Sequence, residues 1–220
     1  MTVTVDHGVE RERLLAIAMD ENERQIDHLH PAAVVWDLDS TVADTLHRHH
    51  MLDGIKAWYA AVETWGDEEQ AVLAGNVKVT WDDYSMACIR DTPVAGTVTL
   101  MRMLWKSSLQ IAVSGRNAVA NELTQKWVRL HKVPLDKIVL RVAGDFTHSD
   151  EYKVRELSAL EEAGITVLAY IDDWPSTATA VTLATGIPSL MVNPNYKCIA
   201  CHSRERSCPC GQARLGNGGT

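Results

Sequence analysis

Two aspartates one residue apart, Asp37 and Asp39, close the run A-V-V-W-D-L-D-S-T from Ala33 to Thr41. On an extended chain, side chains two apart point the same way, so both carboxylates can face one site. Two such groups repel each other and favour a metal ion or a shared proton between them. A helix cap or turn after a strand uses the same residue types, and this fragment alone leaves that alternative open. Three further groups follow: Ser114-Gly115-Arg116, Lys153, and the pair Asp172-Asp173. A small hydroxyl, a glycine and a guanidinium at a strand end make an anion cradle, although the same triplet also occurs in plain strand-to-helix turns. A lone helical lysine is ordinarily solvated.

The elements that must position these groups alternate. Val34-Val35-Trp36 reads as a buried strand of a parallel sheet, Leu109–Val113 as a second, Ile138–Val142 as a third, Val167–Ile171 as a fourth and Ser189–Val192 as a short fifth. Helices are expected between them. One opens at Pro93 with Val94, Val98, Leu100, Met101, Met103 and Leu104 on its apolar side. Another runs from Val119 to His131 with Leu123, Trp127 and Leu130 inward; a third carries Lys153 and stops at Gly164; a fourth spans Ser176–Thr185. This rhythm predicts a doubly wound, Rossmann-like parallel sheet, in which ligands bind beyond the carboxyl ends of the strands. Residues 1–31 read as a helical extension, 32–195 as the core, 196–211 as a cysteine knuckle and 212–220 as a glycine-rich tail.

The stretch of about 45–91 breaks the rhythm. It is acidic and aromatic, with Trp58, Tyr59, Trp65, Trp81 and Tyr84, and reads as an inserted lid over the strand ends. Packing is the ordinary use of such aromatics, and base stacking, for Trp58 and Trp81, the alternative. His47, His49 and His50 stand at its start, suited to facing substrate or solvent rather than to tetrahedral metal geometry.

Bulk properties narrow the function. A length of 220 residues suits one domain with modest additions, and 46% hydrophobic with 23% charged residues is a soluble globular composition. The net charge of -8 argues against an electrostatic glove for duplex nucleic acid. No apolar run approaches membrane-spanning length and the amino terminus is acidic, so a cytoplasmic protein with no membrane partner is expected. The sequence does not specify an oligomeric state.

Asp-x-Asp-x-Thr, Ser-Gly-Arg, a later lysine and Asp-Asp, in this order, resemble the haloacid dehalogenase superfamily of phosphohydrolases over roughly Ala33 to Asn193. The segments T-Q-K-W-V-R-L-H-K-V-P, Gly144-Asp145 ahead of Lys153, and A-Y-I-D-D are similar to the 3′-phosphatase domain of bacteriophage polynucleotide kinase-phosphatases. W-D-D-Y-S-M-A-C-I-R-D-T-P is similar to related stand-alone phage and bacterial members. No G-x-x-x-x-G-K-[ST] phosphate loop of a kinase half occurs in the sequence.

The resemblance implies a nucleophilic Asp37 that forms an aspartyl-phosphate, and an Asp39 that protonates the leaving oxygen and then activates water. It implies that Thr41 holds the loop or orients Asp39 and that Ser114 and Gly115 bind a phosphoryl oxygen. Arg116 would contact substrate phosphate, and Lys153 would sit beside nucleophile and phosphate. Mg²⁺ would be held by Asp37, the Asp39 carbonyl and Asp172, with Asp173 assisting. The implied activity is removal of a terminal, 3′, phosphate from an oligonucleotide in end repair. A phosphatase of free nucleotides or another small metabolite is the enzymatic alternative, and a non-catalytic nucleic-acid or protein adaptor the other. Ser40 stands where the family has glycine, Trp174 where an arginine commonly follows the paired aspartates, and Thr147 where the polynucleotide phosphatases tend to carry arginine. The two missing arginines lower the grip expected on a long polyanion.

Cys198, Cys201, Cys208 and Cys210, with His202 as a possible substitute, have spacings that can close a structural zinc site. Cys-x-x-Cys-His also matches c-type haem attachment, and a redox-sensitive tail is the remaining alternative. Cys88 stands apart as a small buried hydrophobe.

Overall fold

The computed structural model describes residues 31–192. The expected helical extension before Pro31, the zinc knuckle and the tail lie outside the described residues.

Five strands form one parallel sheet: β1 (Ala32–Trp36), β4 (Leu109–Asn117), β5 (Lys137–Arg141), β6 (Thr166–Asp172) and β7 (Ser189–Met191). Their order is β5-β4-β1-β6-β7, with every neighbouring pair parallel. β1 is central, which explains why it is apolar without alternation: both of its faces are covered. Val35 packs on one face with Ile111, Val113 and Tyr170, under helices α6 (Ser149–Glu162) and α7 (Pro175–Thr185), which contribute Leu157, Leu160 and Val181. Val34 and Trp36 face the other side, among Val98 and Met101 of α4 (Ala95–Leu104) and Trp127 of α5 (Asn121–His131). This is the doubly wound arrangement expected from the βα rhythm.

Two inward faces are narrower than expected. Met103 of α4 and Leu130 of α5 are largely exposed, so a stripe centred on Val98 and Met101, or on Trp127, suffices to cover the sheet. Pro93 precedes α4 rather than opening it, in the two-residue strand β3 (Thr92–Pro93), which pairs antiparallel with β2 (Ala43–Asp44).

Between β2 and β3 lie α1 (His50–Trp65), α2 (Glu68–Leu73) and α3 (Trp81–Met86). Asp67 caps α2 through Gln70 N–H, and Thr80 with Asp83 forms a reciprocal capping box on α3. Trp58 is buried with Ala61 and Ala71, which corrects the stacking role raised for it: its indole holds α1 against α2. Trp81 remains half exposed.

Candidate active site

The end of β1 is pinned before it turns. Asp37 N–H donates to the Ile171 carbonyl at 2.8 Å, which fixes Asp37 beside the end of β6. The chain then wraps around one oxygen: the Leu38 carbonyl accepts from the amides of Thr41, Val42 and Ala43. Closing so tight a turn places Ser40 in the left-handed region, at φ 68°. This is the position where the resembled family has glycine, and it carries the conformation glycine favours. Ser40 is held there by its amide on the Ala43 carbonyl, 2.7 Å, and its hydroxyl 2.9 Å from Thr45 Oγ1. Thr41 is buried, and its hydroxyl has no hydrogen-bond partner among the described residues.

Asp37, Asp39, Ser114, Gly115, Arg116, Lys153, Asp172 and Asp173 line one cleft of about 600 Å³ at the carboxyl end of the sheet. Lys153, far from being a solvated lysine, is buried, and its Nζ donates to Asp37 Oδ1 at 2.5 Å and to the Val113 carbonyl. Burial pushes the Asp37 carboxyl up; Lys153 opposes this, while Asp172 and Asp39 add to the rise. Asp172 is likewise raised, by burial first, although Lys153, the Tyr170 hydroxyl and the Trp174 amide hold it back. One carboxylate oxygen from each of Asp37, Asp172 and Asp173 falls within 4.8 Å of the others. Two buried carboxylates and a half-buried third this close, with one ammonium on Asp37, are short of positive charge. Their all-oxygen donor set fits a hard divalent cation.

Asp39 has the opposite environment. Arg48 Nη2 donates to its Oδ1 at 2.7 Å, and Arg116 Nη2 donates to the same oxygen. Burial works to raise this carboxyl, but Arg116 and then Arg48 hold it down, to about 2. Both guanidiniums are anchored behind Asp39 by buried Asp91, which accepts from Arg48 Nε and Nη2 and from Arg116 Nη2. Asp91 is fixed in turn by His47, whose Nε2 lies 2.9 Å from its Oδ1, while its carbonyl accepts from Trp127 Nε1 at 2.7 Å. Tyr84 lies under the Arg48 guanidinium, 4.1 Å from it.

Arg116 therefore differs from the open phosphate fork expected of it. Ser114 pairs with Leu140 and Asn117 with Arg141, so Gly115 and Arg116 sit in an irregularity of β4, and such bulges re-aim side chains. Here Arg116 is aimed into the buried network, with Nη1 on Thr124 Oγ1. Ser114 is buried, and its Oγ accepts from the Arg116 amide. Glycine is not sterically demanded at 115: its φ lies outside the left-handed region and an added Cβ would meet Arg141 at an ordinary 3.6 Å.

Arg48 and Asp91 escaped the sequence reading. Arg48 sits inside T-L-H-R-H-H, where the histidines drew attention, and Asp91 lies more than forty residues away. Only the pairing of β2 with β3 brings them together. The histidines are structural at two positions, His47 on Asp91 and His49 on Thr45. Among the described residues the one grouping with metal-ligand spacing is Asp37, Asp172 and Asp173.

No protein-family model matches the chain, and no curated protein does. Solved structures do. A chain of the Pnkp1/Rnl/Hen1 RNA repair complex aligns at a TM-score of 0.55 and 18% identity, over 80% of this chain and 46% of that one. A second structure of the Pnkp1/Rnl/Hen1 complex aligns at 0.53 and 18% identity, over 80% and 50%. This chain thus spans about half the length of the chains it matches there. A haloacid dehalogenase-like hydrolase from Streptococcus pneumoniae aligns at 0.47 and 15% identity, over 74% and 84%. At such identities the likeness is one of fold. This chain carries that fold as a parallel sheet in the order β5-β4-β1-β6-β7, with acids at the carboxyl ends of β1 and β6.

Proposed function

We propose that the protein is a Mg²⁺-dependent phosphomonoesterase that works through an aspartyl-phosphate on Asp37. The observation that carries this reading is the contact of Lys153 Nζ with Asp37 Oδ1, beside Asp172 and Asp173. A carboxylate that must attack a phosphate dianion needs nearby positive charge and a fixed direction, and Lys153 gives both. Asp37, the Asp39 carbonyl and Asp172 would hold the metal, with Asp173 in support. When bound, Mg²⁺ would offset the negative charge gathered at the phosphoryl group.

Asp37 attacks phosphorus, its carboxylate forming the new P–O bond as the bond to the leaving oxygen breaks. Asp39 then draws a proton from the water that cleaves the acyl phosphate, releasing inorganic phosphate and restoring Asp37. Arg48 and Arg116 keep Asp39 ionised, the state required of a base. Donating a proton to the leaving oxygen in the first half-reaction requires that hold to loosen. Ser114 contributes its hydroxyl, and Gly115 its amide, to the phosphoryl oxygens.

The substrate we favour is a 3′-phosphorylated oligonucleotide end. The fold likeness to a chain of an RNA repair complex supports this, as do the sequence segments similar to the polynucleotide 3′-phosphatases. The α1–α3 insertion would act as the lid over that end. A mononucleotide phosphatase is the second reading, favoured by the net charge of -8 and by Trp174 and Thr147 at positions that carry arginine elsewhere.

The test is phosphate release with Mg²⁺ from matched oligonucleotides phosphorylated at the 3′ or 5′ end, beside 3′ and 5′ mononucleotides, with Asp37→Asn as the blank. Preference for the 3′-phosphorylated oligonucleotide supports the reading. Preference for a mononucleotide keeps the mechanism and removes the repair role. Absence of Asp37-dependent release from all four sinks both.

A further inference from the structure

Three large apolar side chains stand open to solvent around the mouth of the catalytic cleft: Trp81, Phe146 and Trp174. They come from three separate elements, the start of α3, the loop between β5 and α6, and the turn between β6 and α7. Phe146 is the single phenylalanine of the chain and is 88% exposed. Its loop is braced on both sides of it. Asp145 accepts from the Thr147 amide at 2.9 Å and from Arg155 Nη2 at 2.7 Å, and Arg141 Nη1 donates to the Thr147 carbonyl. A braced loop that holds a phenyl ring in water gains nothing from packing it. Trp174 is 45% exposed while its amide is fixed on Asp172, and Trp81 is 50% exposed with its edge against Tyr84 at 6.0 Å.

The cations of the same cleft are engaged within the protein. Arg116 is on Asp39 and Asp91, Lys153 on Asp37, and Arg141 on the Thr147 carbonyl and over the Tyr152 ring at 4.5 Å. In a chain of net charge -8, a ligand that brings a phosphate into this cleft finds little electrostatic grip for the rest of itself. What the rim offers instead is flat aromatic surface.

We infer that Trp81, Phe146 and Trp174 form a stacking rim for the nucleobase of the phosphorylated terminal nucleotide, which sets the specificity of the cleft for nucleotides over aliphatic phosphate esters. This inference rests on the phosphatase reading. Stacking is tolerant of base identity, so the rim selects a nucleobase rather than a sequence, and it acts whether that base ends an oligonucleotide or belongs to a mononucleotide.

The experiment compares kcat/KM for a 3′-phosphorylated oligonucleotide, the same oligonucleotide with an abasic terminal residue, and a nucleoside 3′-monophosphate. Phe146→Ala, Trp174→Ala and Trp174→Phe are assayed beside the parent. Trp81 is left intact because Tyr84 and Arg48 lie behind it. The parent should favour the base-bearing end by about 10-fold, within the range of about 5- to 150-fold expected for one stacked base. Each alanine variant should lower that ratio several-fold, mainly through KM, and Trp174→Phe should restore it. A parent ratio within twofold, or a ratio indifferent to both alanine variants, overturns the rim while leaving the phosphatase standing. If no substrate is turned over, tryptophan fluorescence decides independently. Quenching of Asp37→Asn by the nucleoside monophosphate but not by ribose 3-phosphate, lost in the Asp37→Asn/Trp174→Ala double variant, sustains the rim, and equal quenching by both ligands removes it.

Discussion

Arg48 and Asp91 meet as a buried two-pronged pair: Nε donates to Oδ1 at 2.9 Å and Nη2 to Oδ2 at 2.8 Å, with at most 1% of either side chain exposed. Arg116 joins the same carboxylate from β4, and both arginines reach forward to Asp39. Two guanidiniums and two carboxylates thus balance each other, with Arg48, Arg116 and Asp91 out of water and Asp39 partly open to the cleft. Such a set is costly to bury and costlier to break, because each member removed leaves an opposite charge unpaired. Its consequence for the site is that Asp39 is oriented and ionised by residues the substrate need not touch.

Replacing Asp91 by Asn should therefore act on the whole fold. The amide keeps the shape but removes the charge that faces two arginines, and a loss of about 3–5 kcal/mol in unfolding free energy is expected. Urea denaturation of parent and Asp91→Asn measures it. A loss under about 1 kcal/mol would mean that water or rearrangement relieves the arginines.

Arg116→Lys separates two roles for this side chain. A single ammonium cannot reach Asp39, Asp91 and Thr124 together as the planar fork does. If Arg116 works by holding Asp39, kcat should fall about tenfold or more with KM little moved. A rise in KM at steady kcat would instead identify Arg116 as a direct contact to substrate phosphate.

The pH dependence of metal-free stability should carry the mark of Asp37. Its folded pKa is raised to about 7 from an ordinary 3.8, by burial first and by Asp172 and Asp39 next, against Lys153. A raised value means that the folded protein binds the proton more tightly than the unfolded chain. The stability Asp37 contributes is full below about 3.8 and is lost as pH rises through about 7. In EDTA, the unfolding free energy of the parent should therefore fall relative to that of Asp37→Asn across this window. Parallel curves from pH 4 to 8 would show that Asp37 is ionised throughout.

Ser40 should tolerate glycine better than alanine. Its φ of 68° is strained for any residue with a Cβ, and both changes give up the contact with Thr45. Ser40→Gly should be more stable than Ser40→Ala by about 1 kcal/mol, the usual cost of a left-handed conformation. Thermal unfolding of the two variants compares them directly, and equal midpoints would mean that the turn opens to relieve alanine.

The place of Lys153 beside Asp37 was implied only by the family resemblance, since a lone helical lysine reads as solvated. The sequence by itself determined the α/β rhythm and the delivery of Asp37 and Asp172 to strand ends, and these follow from local physics. A strand flanked on both faces must be apolar throughout, and a sheet whose strands run parallel delivers whatever follows each strand to the same edge. Which residues stand behind that edge was left to the tertiary structure. Asp91 lies 43 residues after Arg48 and 25 before Arg116, and the three meet only because β2 pairs with β3 and β4 is irregular at Gly115-Arg116. The same holds for the aromatics: Trp58 and Trp81 are alike in sequence, yet one is sealed between α1 and α2 and the other is open at the cleft. Burial of a tryptophan depends on what packs over it, and an ion pair across the chain depends on where two backbones cross. No local spacing encodes either.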